Sequence, residues 1–170
     1  MSLPQIQTRQ YRIEAFTHDF MFSGIMEFLG SLMIFINSPD RRTILFKNVT
    51  VTALDTASTL NSYSVEELLI RQEELVMIRP LDELSPGTAS LLPVKEKLRI
   101  FIPRFVVQAQ ASHGPDTKVG DMFDTVGGNW ITTIEAHVHP LVPVKIPVFH
   151  KTPQLLLSRR HVRFYHAVSE

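Results

Sequence analysis

The chain has 170 residues, 44% of them hydrophobic, with 17 basic and 17 acidic side chains, no cysteine and a formal net charge of zero. Such a composition is that of a soluble globular protein of one or two small domains, and it excludes disordered and collagen-like chains. The missing cysteines exclude disulfide frameworks, thiolate zinc sites and thiol nucleophiles and fit a reducing compartment, while the balanced charge argues against duplex DNA, whose binders carry a basic surplus to neutralise phosphates.

Met1 to Gln10 show no charged region followed by an apolar one. No signal peptide is therefore expected, and the location is read as cytoplasmic. Tyr11, Ile13 and Ala15 then alternate with Arg12 and Glu14, which predicts a strand. After a turn at His18-Asp19 a second strand runs from about Phe20 to Phe28. A short helix is expected from Gly30 to Ser38, ended by Ser38-Pro39-Asp40. The β-branched run Thr43 to Ala53 places Val49, Val51 and Ala53 on one face and Asn48, Thr50 and Thr52 on the other, the pattern of a half-buried strand. A polar loop, Asp55 to Ser64, leads to two short strands, Glu67 to Arg71 and Glu74 to Ile78, around a bend at Gln72-Glu73. The unit reads β-β-α-β-β-β.

The same unit returns later in the chain. Tyr11-Arg12-Ile13 falls on Leu98-Arg99-Ile100, a displacement of 87 residues, and that displacement carries Leu32–Asn37 onto Val119–Asp124. It also sets Val51 and Leu54 on Val138 and Leu141, Leu68–Ile70 on Leu155–Leu157, and Leu75 and Met77 on Val162 and Phe164. A gapless run of matched apolar positions points to an internal duplication rather than a coincidence of two β-rich stretches. Phe20 to Ile36, which carries only Glu27 as a charge, approaches the length of a membrane span. Its counterpart, Val107 to Phe123, contains Gln108, Gln110, His113, Asp116, Lys118 and Asp121, and this excludes a span. Two copies are thus expected, 9–82 and 96–168, joined by a linker over 83–95 with Ser85-Pro86-Gly87 as its turn. The second helix is expected over Pro115 to Thr125, before Gly127-Gly128. Five short, bent strands hide their edges most simply by closing into a small barrel. The predicted fold class is mainly β, a tandem duplication of a small barrel of SH3 or Sm-like type with one short helix per copy.

Leu69-Ile70-Arg71-Gln72-Glu73-Glu74-Leu75-Val76-Met77-Ile78 resembles the last hairpin of Sm-like small barrels, where an Ile-Arg-Gly turn joins the final two strands, and Gly24-Ile25-Met26 sits where that family keeps Gly-x-Leu. The Asp and Asn of that family's RNA-binding loop would fall on Gly30 and Ile34, Gln72 replaces the turn glycine, and the second copy has Ser158 in place of Arg71. The resemblance therefore implies a fold and carries over no RNA site. Lys118 to Asp124 also resembles an Arg-Leu-Ser-Asp-x-Leu-Asn stretch of small bacterial β-proteins, which implies no activity.

For chemistry, Glu135-Ala136-His137-Val138-His139 puts two histidines on one side of a strand. His150, on the next loop, would complete a three-histidine metal site with an open position. Against this, His137 and His139 align with Thr50 and Thr52, opposite the apolar face, so a solvated strand surface also explains them. Charge divides between the copies: residues 1–85 carry 7 basic and 11 acidic side chains, net −4, and residues 86–170 carry 10 and 6, net +4. Arg159, Arg160 and Arg163, with His161, are then expected to meet an anion, the acidic copy of a neighbour, or the acidic copy of the same chain. The first helix is apolar all round at Leu32, Ile34, Phe35 and Ile36, so it must be covered by the second copy or by another chain, and a homodimer through these residues is expected. No Gly-rich phosphate loop, Gly-x-Ser-x-Gly elbow or His-Glu-x-x-His helix occurs. No catalytic residue or cofactor is assigned. The favoured reading is a non-enzymatic binding or scaffold protein that self-associates and has room for a protein partner. The alternatives are a metal-dependent enzyme using His137, His139 and His150, and a single-stranded RNA-binding module. The second of these is disfavoured because no ladder of aromatics supports base stacking.

Overall fold

The structure, a computed structural model, describes residues 8–82, 92–124, 128–147 and 149–169. Alternating burial along Arg9–Phe16 (β1) and Phe20–Phe28 (β2) pairs them as a hairpin, followed by a five-residue helix, Leu32–Ile36 (α1). Thr43–Ala53 (β3) and Tyr63–Arg71 (β4) extend the sheet, and a 3-10 turn at Gln72–Glu74 leads to Met77–Pro80 (β5). The order then recurs as Val94–Ile102 (β6), Phe105–His113 (β7), Val119–Asp124 (α2), Trp130–Pro140 (β8), Lys151–Ser158 (β9), a 3-10 turn at Arg159–His161 and Phe164–Ala167 (β10). No helix among the described residues is long and apolar enough to cross a membrane. The helix expected over Gly30 to Ser38 is shorter because the Ser31 hydroxyl caps its start by accepting from the Ile34 N–H, and Asn37 ends it. Ser85-Pro86-Gly87, the expected linker turn, and Gly127 lie outside the described residues.

Corresponding elements of the two halves are not separated by one constant displacement. Arg9 pairs with Phe28 and Val94 with His113, so the first hairpin recurs after 85 residues, whereas Thr43–Ala53 recurs as Trp130–Pro140 after 87. The connection before the helix absorbs the difference: it spans 29–31 in the first half and 114–118 in the second. Side chains on a strand alternate with period two, so a two-residue slip leaves every apolar position on its own face and is invisible in the hydropathy pattern. Both halves carry a bulge at the same place, with Asn48 at φ 50° and Glu135 at φ 52°. At the first bulge Gly24 lies so close to β3 that a Cβ there would stand 3.0 Å from the Lys47 carbonyl and from Val49 Cγ2.

The strands form one open antiparallel sheet of ten, in the order β10-β6-β7-β8-β9-β5-β1-β2-β3-β4. This corrects the expectation of closed barrels. Closing the first would need β4 against β5, but the outer side of β5 is taken by β9, through Met77 opposite Leu157 and Ile78 opposite Leu156. Being central, β9 is buried on both faces. Leu155 and Leu157 enter one core with Leu98, Ile100, Phe105, Val107 and Val138, joined by Phe16, Leu54 and Met77 of the first half. Leu156 enters the other, with Ile13, Met26, Ile36, Ile44, Phe46 and Ile78, joined by Trp130. Each core borrows residues from the other half. The loop after β8 adds to the joint: the Lys145 N–H donates to the Leu54 carbonyl at 2.8 Å, and its ammonium donates to the carbonyls of Ser58 and Leu60, both at 3.0 Å.

Candidate functional site: an arginine cleft at the joint

Where the two halves meet, the ends of several strands surround a cleft of about 230 Å³. Arg41 and Arg42 reach it from the turn before β3, Arg71 from the end of β4 and Glu73 from the first 3-10 turn. Trp130 comes from the start of β8 and Arg160 from the second 3-10 turn. Backbone bonds fix these ends: the Gln72 N–H donates to the Arg42 carbonyl at 2.9 Å, and the Arg159 N–H to the Asn129 carbonyl at 2.8 Å. The Gln72 amide donates to the Ile36 carbonyl at the end of α1. The Trp130 N–H donates to Asn37 Oδ1 at 3.0 Å, tying the same helix end to the second half.

Charge in the cleft is unbalanced. Glu73 is its one lining carboxylate among the described residues, and it serves two guanidiniums, Arg71 Nη2 at 2.8 Å and Arg160 Nη1 at 3.4 Å. The Arg41 guanidinium lies 4.0 Å above the centre of the Phe35 ring, an arrangement that positions a cation without neutralising it. Planar guanidiniums converging from different strands offer paired N–H donors, the arrangement that fits carboxylate or phosphate oxygens. The volume falls below the roughly 300–1,000 Å³ of pockets that enclose a drug-sized ligand. It suits an anionic headgroup.

The residues singled out in the sequence are distributed differently. His137 and His139 are both exposed on β8, between the buried Ala136 and Val138. His150 does not join them: its carbonyl accepts from the Val138 N–H at 3.2 Å, which places it opposite the inward-facing residue between the two. Glu135 is held by the Lys151 ammonium at 2.8 Å, and that hydrogen bond keeps its carboxyl below the usual carboxylate range. The three-histidine site is therefore not assembled, and no group of three or more His, Asp or Glu side chains suited to a metal occurs among the described residues.

Of the basic run, Arg160 faces the acidic half of its own chain through Glu73, and His161 Nε2 lies 2.8 Å from the Glu73 carbonyl. Arg159 is half-buried; burial lowers its pKa, opposed by the charge of Asp124. Arg163 is exposed just before β10.

The first helix is mostly covered within the chain. Leu32 and Ile36 are buried in the first-half core, and Phe35 packs 5.2 Å from Phe28 under Arg41. Ile34 alone of the four points well out. The second half helps cover the helix, with Thr132 Oγ1 3.0 Å from Met33 Sδ. Sequence reasoning missed Arg41, Arg42 and Glu73 as site residues. The adjacent Arg41-Arg42 before a strand was a visible signal, but the charged partners that make a cleft of it, Arg71 and Glu73 and then Arg160, come from two later and separate parts of the chain. No family model, curated protein or solved structure matches this chain.

Proposed function

We propose that the protein is a non-enzymatic binding module made of two tandem copies of a small β unit, and that it takes an anionic, phosphate-bearing ligand in the arginine cleft between them. The observation that carries the reading is the convergence of Arg41, Arg42, Arg71 and Arg160 on a cleft whose described lining has one carboxylate. The tandem-copy part is supported by the recurrence, among the described residues, of the strands, helix and 3-10 turn in the same order. The non-enzymatic part is supported by the sequence, which carries none of the common nucleophile, phosphate-loop or zinc-helix signatures. A cleft at a joint of two units suits recognition, because a ligand there contacts both halves and stabilises them together.

The test is calorimetric titration with inorganic tripolyphosphate at low and moderate salt. Saturable binding that weakens as salt rises is expected. In Arg42→Ala and in Arg71→Ala the affinity should fall about tenfold or more, since each removes a charge-assisted hydrogen bond of about 1.5–3 kcal/mol. Both arginines are exposed, so these variants keep the fold. No heat of binding at low salt would overturn the reading.

A further inference from the structure

The joint that fuses the two halves leaves its two complementary edges unused at the ends of the sheet. Within the chain, β9 pairs with β5; the repeat equivalents of these strands are β4 and β10, which are the two outermost strands. Displacing the joint by 87 residues sets Ile70 opposite Phe164 and Leu69 opposite Tyr165, as Leu157 stands opposite Met77 and Leu156 opposite Ile78. The backbone polarity agrees. The Ser158 N–H donates to the Val76 carbonyl across the joint, and the equivalents of that pair are Arg71 and Arg163. Gln72 and Val168 are spent on inner neighbours, through Gln72 N–H to Arg42 and Val168 N–H to Lys97. By alternation along an antiparallel ladder, Leu69 and Arg71 on one edge and Tyr165 on the other turn their backbone groups outward, as does the Arg163 carbonyl, while the Arg163 N–H donates inward to the Phe101 carbonyl at 2.9 Å.

Burial marks two of the four, Leu69 and Phe164, while Ile70 is buried and Tyr165 half-buried within its own half. Met77, Ile78, Leu156 and Leu157 are all 0% exposed inside the joint, whereas at the free edges Leu69 is 69% and Phe164 57% exposed. The edges also differ in charge, with Glu66 and Glu67 on β4 and Arg163 beside β10, in keeping with net −4 and +4 on the two halves. Arg71, which would face Arg163 at the end of the ladder, has its charge met by Glu73.

We infer that copies of this chain assemble head to tail, the β4 edge of one pairing antiparallel with the β10 edge of the next in the register of the internal β9–β5 joint. Such an interface is heterologous and joins chains in series, into a ring where the rotation closes and a filament where it does not. An exposed strand edge bearing large apolar side chains is a template for this pairing. The assembly does not rest on the arginine cleft, and either proposal survives failure of the other.

The test uses native mass spectrometry and light scattering on the full chain, with Leu69→Lys and Phe164→Lys, each at an exposed side chain. The wild type should give multiples of the 19.4 kDa chain. Each variant alone should be a folded monomer by circular dichroism, and an equal mixture should give a capped pair, because one retains an intact β10 edge and the other an intact β4 edge. Leu69→Pro and Tyr165→Pro, which delete outward N–H groups on edge strands, form a second pair with the same expectation. A wild type that is monomeric at every concentration would overturn the proposal. So would association that persists in either folded variant alone, or folded variants that stay monomeric when mixed.

Discussion

Leu156→Ala is the sharpest probe of a sheet in which the two halves share their cores. Leu156 belongs to the second half by sequence, sits opposite Ile78 across the joint, is 0% exposed and packs in the core of the first half. Truncation removes three carbons from a closed site, about 2–3 kcal/mol at roughly 0.8 kcal/mol per buried carbon. The unfilled cavity raises this toward the middle of the range of about 2–5 kcal/mol for such changes, so a loss of about 3 kcal/mol is expected. The assay is urea unfolding followed by far-ultraviolet circular dichroism and by emission of Trp130, which is 3% exposed in that same core. The two signals should coincide in the wild type and shift together in the variant, with an unchanged slope on urea. A fluorescence transition that moves while the second half unfolds at its original urea concentration would refute the shared core. A loss below about 1 kcal/mol would refute the packing of Leu156.

Three further outcomes follow from the geometry. Gly128→Ala places a Cβ at φ 94°, a backbone conformation that L residues rarely adopt, and against the Asn37 side chain that accepts from Trp130; a loss of about 1–3 kcal/mol in denaturant unfolding is expected. Replacing His137 and His139 together by Ala, both exposed, should change stability by no more than about 0.5 kcal/mol, and added zinc should leave the melting temperature of wild type and variant alike. The third outcome concerns pH. Hydrogen bonds from the Arg12 side chain, then its backbone N–H, hold the Asp82 carboxyl below the usual carboxylate range. A group whose pKa is depressed by folding contributes its stability above its ordinary value and loses it as pH falls through the lowered one. The melting temperature should therefore decline on the acid side, and Asp82→Asn should flatten that decline.

What the sequence disclosed was local. The β2 span Phe20–Phe28 and the β3 span Thr43–Ala53 are bounded by turn residues, so those residues place their ends, although the bulge at Asn48 breaks the alternation within β3. The order of elements that returns in the second half was legible for the same reason, although the two-residue difference in spacing before the second helix was hidden by the period of the strand. What stayed illegible depends on pairing at long range. Leu68–Ile70 and Leu155–Leu157 look alike as sequences, yet Leu69 is exposed at an edge and Leu156 is sealed in the middle of the sheet. Nothing in either run says which has a neighbour. The arginine cleft was missed on the same grounds, since Arg42, Arg71 and Arg160 converge only once β9 has taken the place beside β5. The histidines show the converse: their spacing correctly placed His137 and His139 on one strand face, but the loop register turned His150 away from them.

Ligand binding in the cleft is read most directly from Trp130, the chain's only tryptophan and part of the cleft lining. Titration with inorganic tripolyphosphate at low salt should give a saturating change in its emission. The midpoint should move to higher ligand concentration as salt is added, and the change should vanish in a folded Arg71→Ala, Arg160→Ala double variant. An emission that stays flat through the titration, with circular dichroism showing the folded protein, would contradict an anion site at the joint.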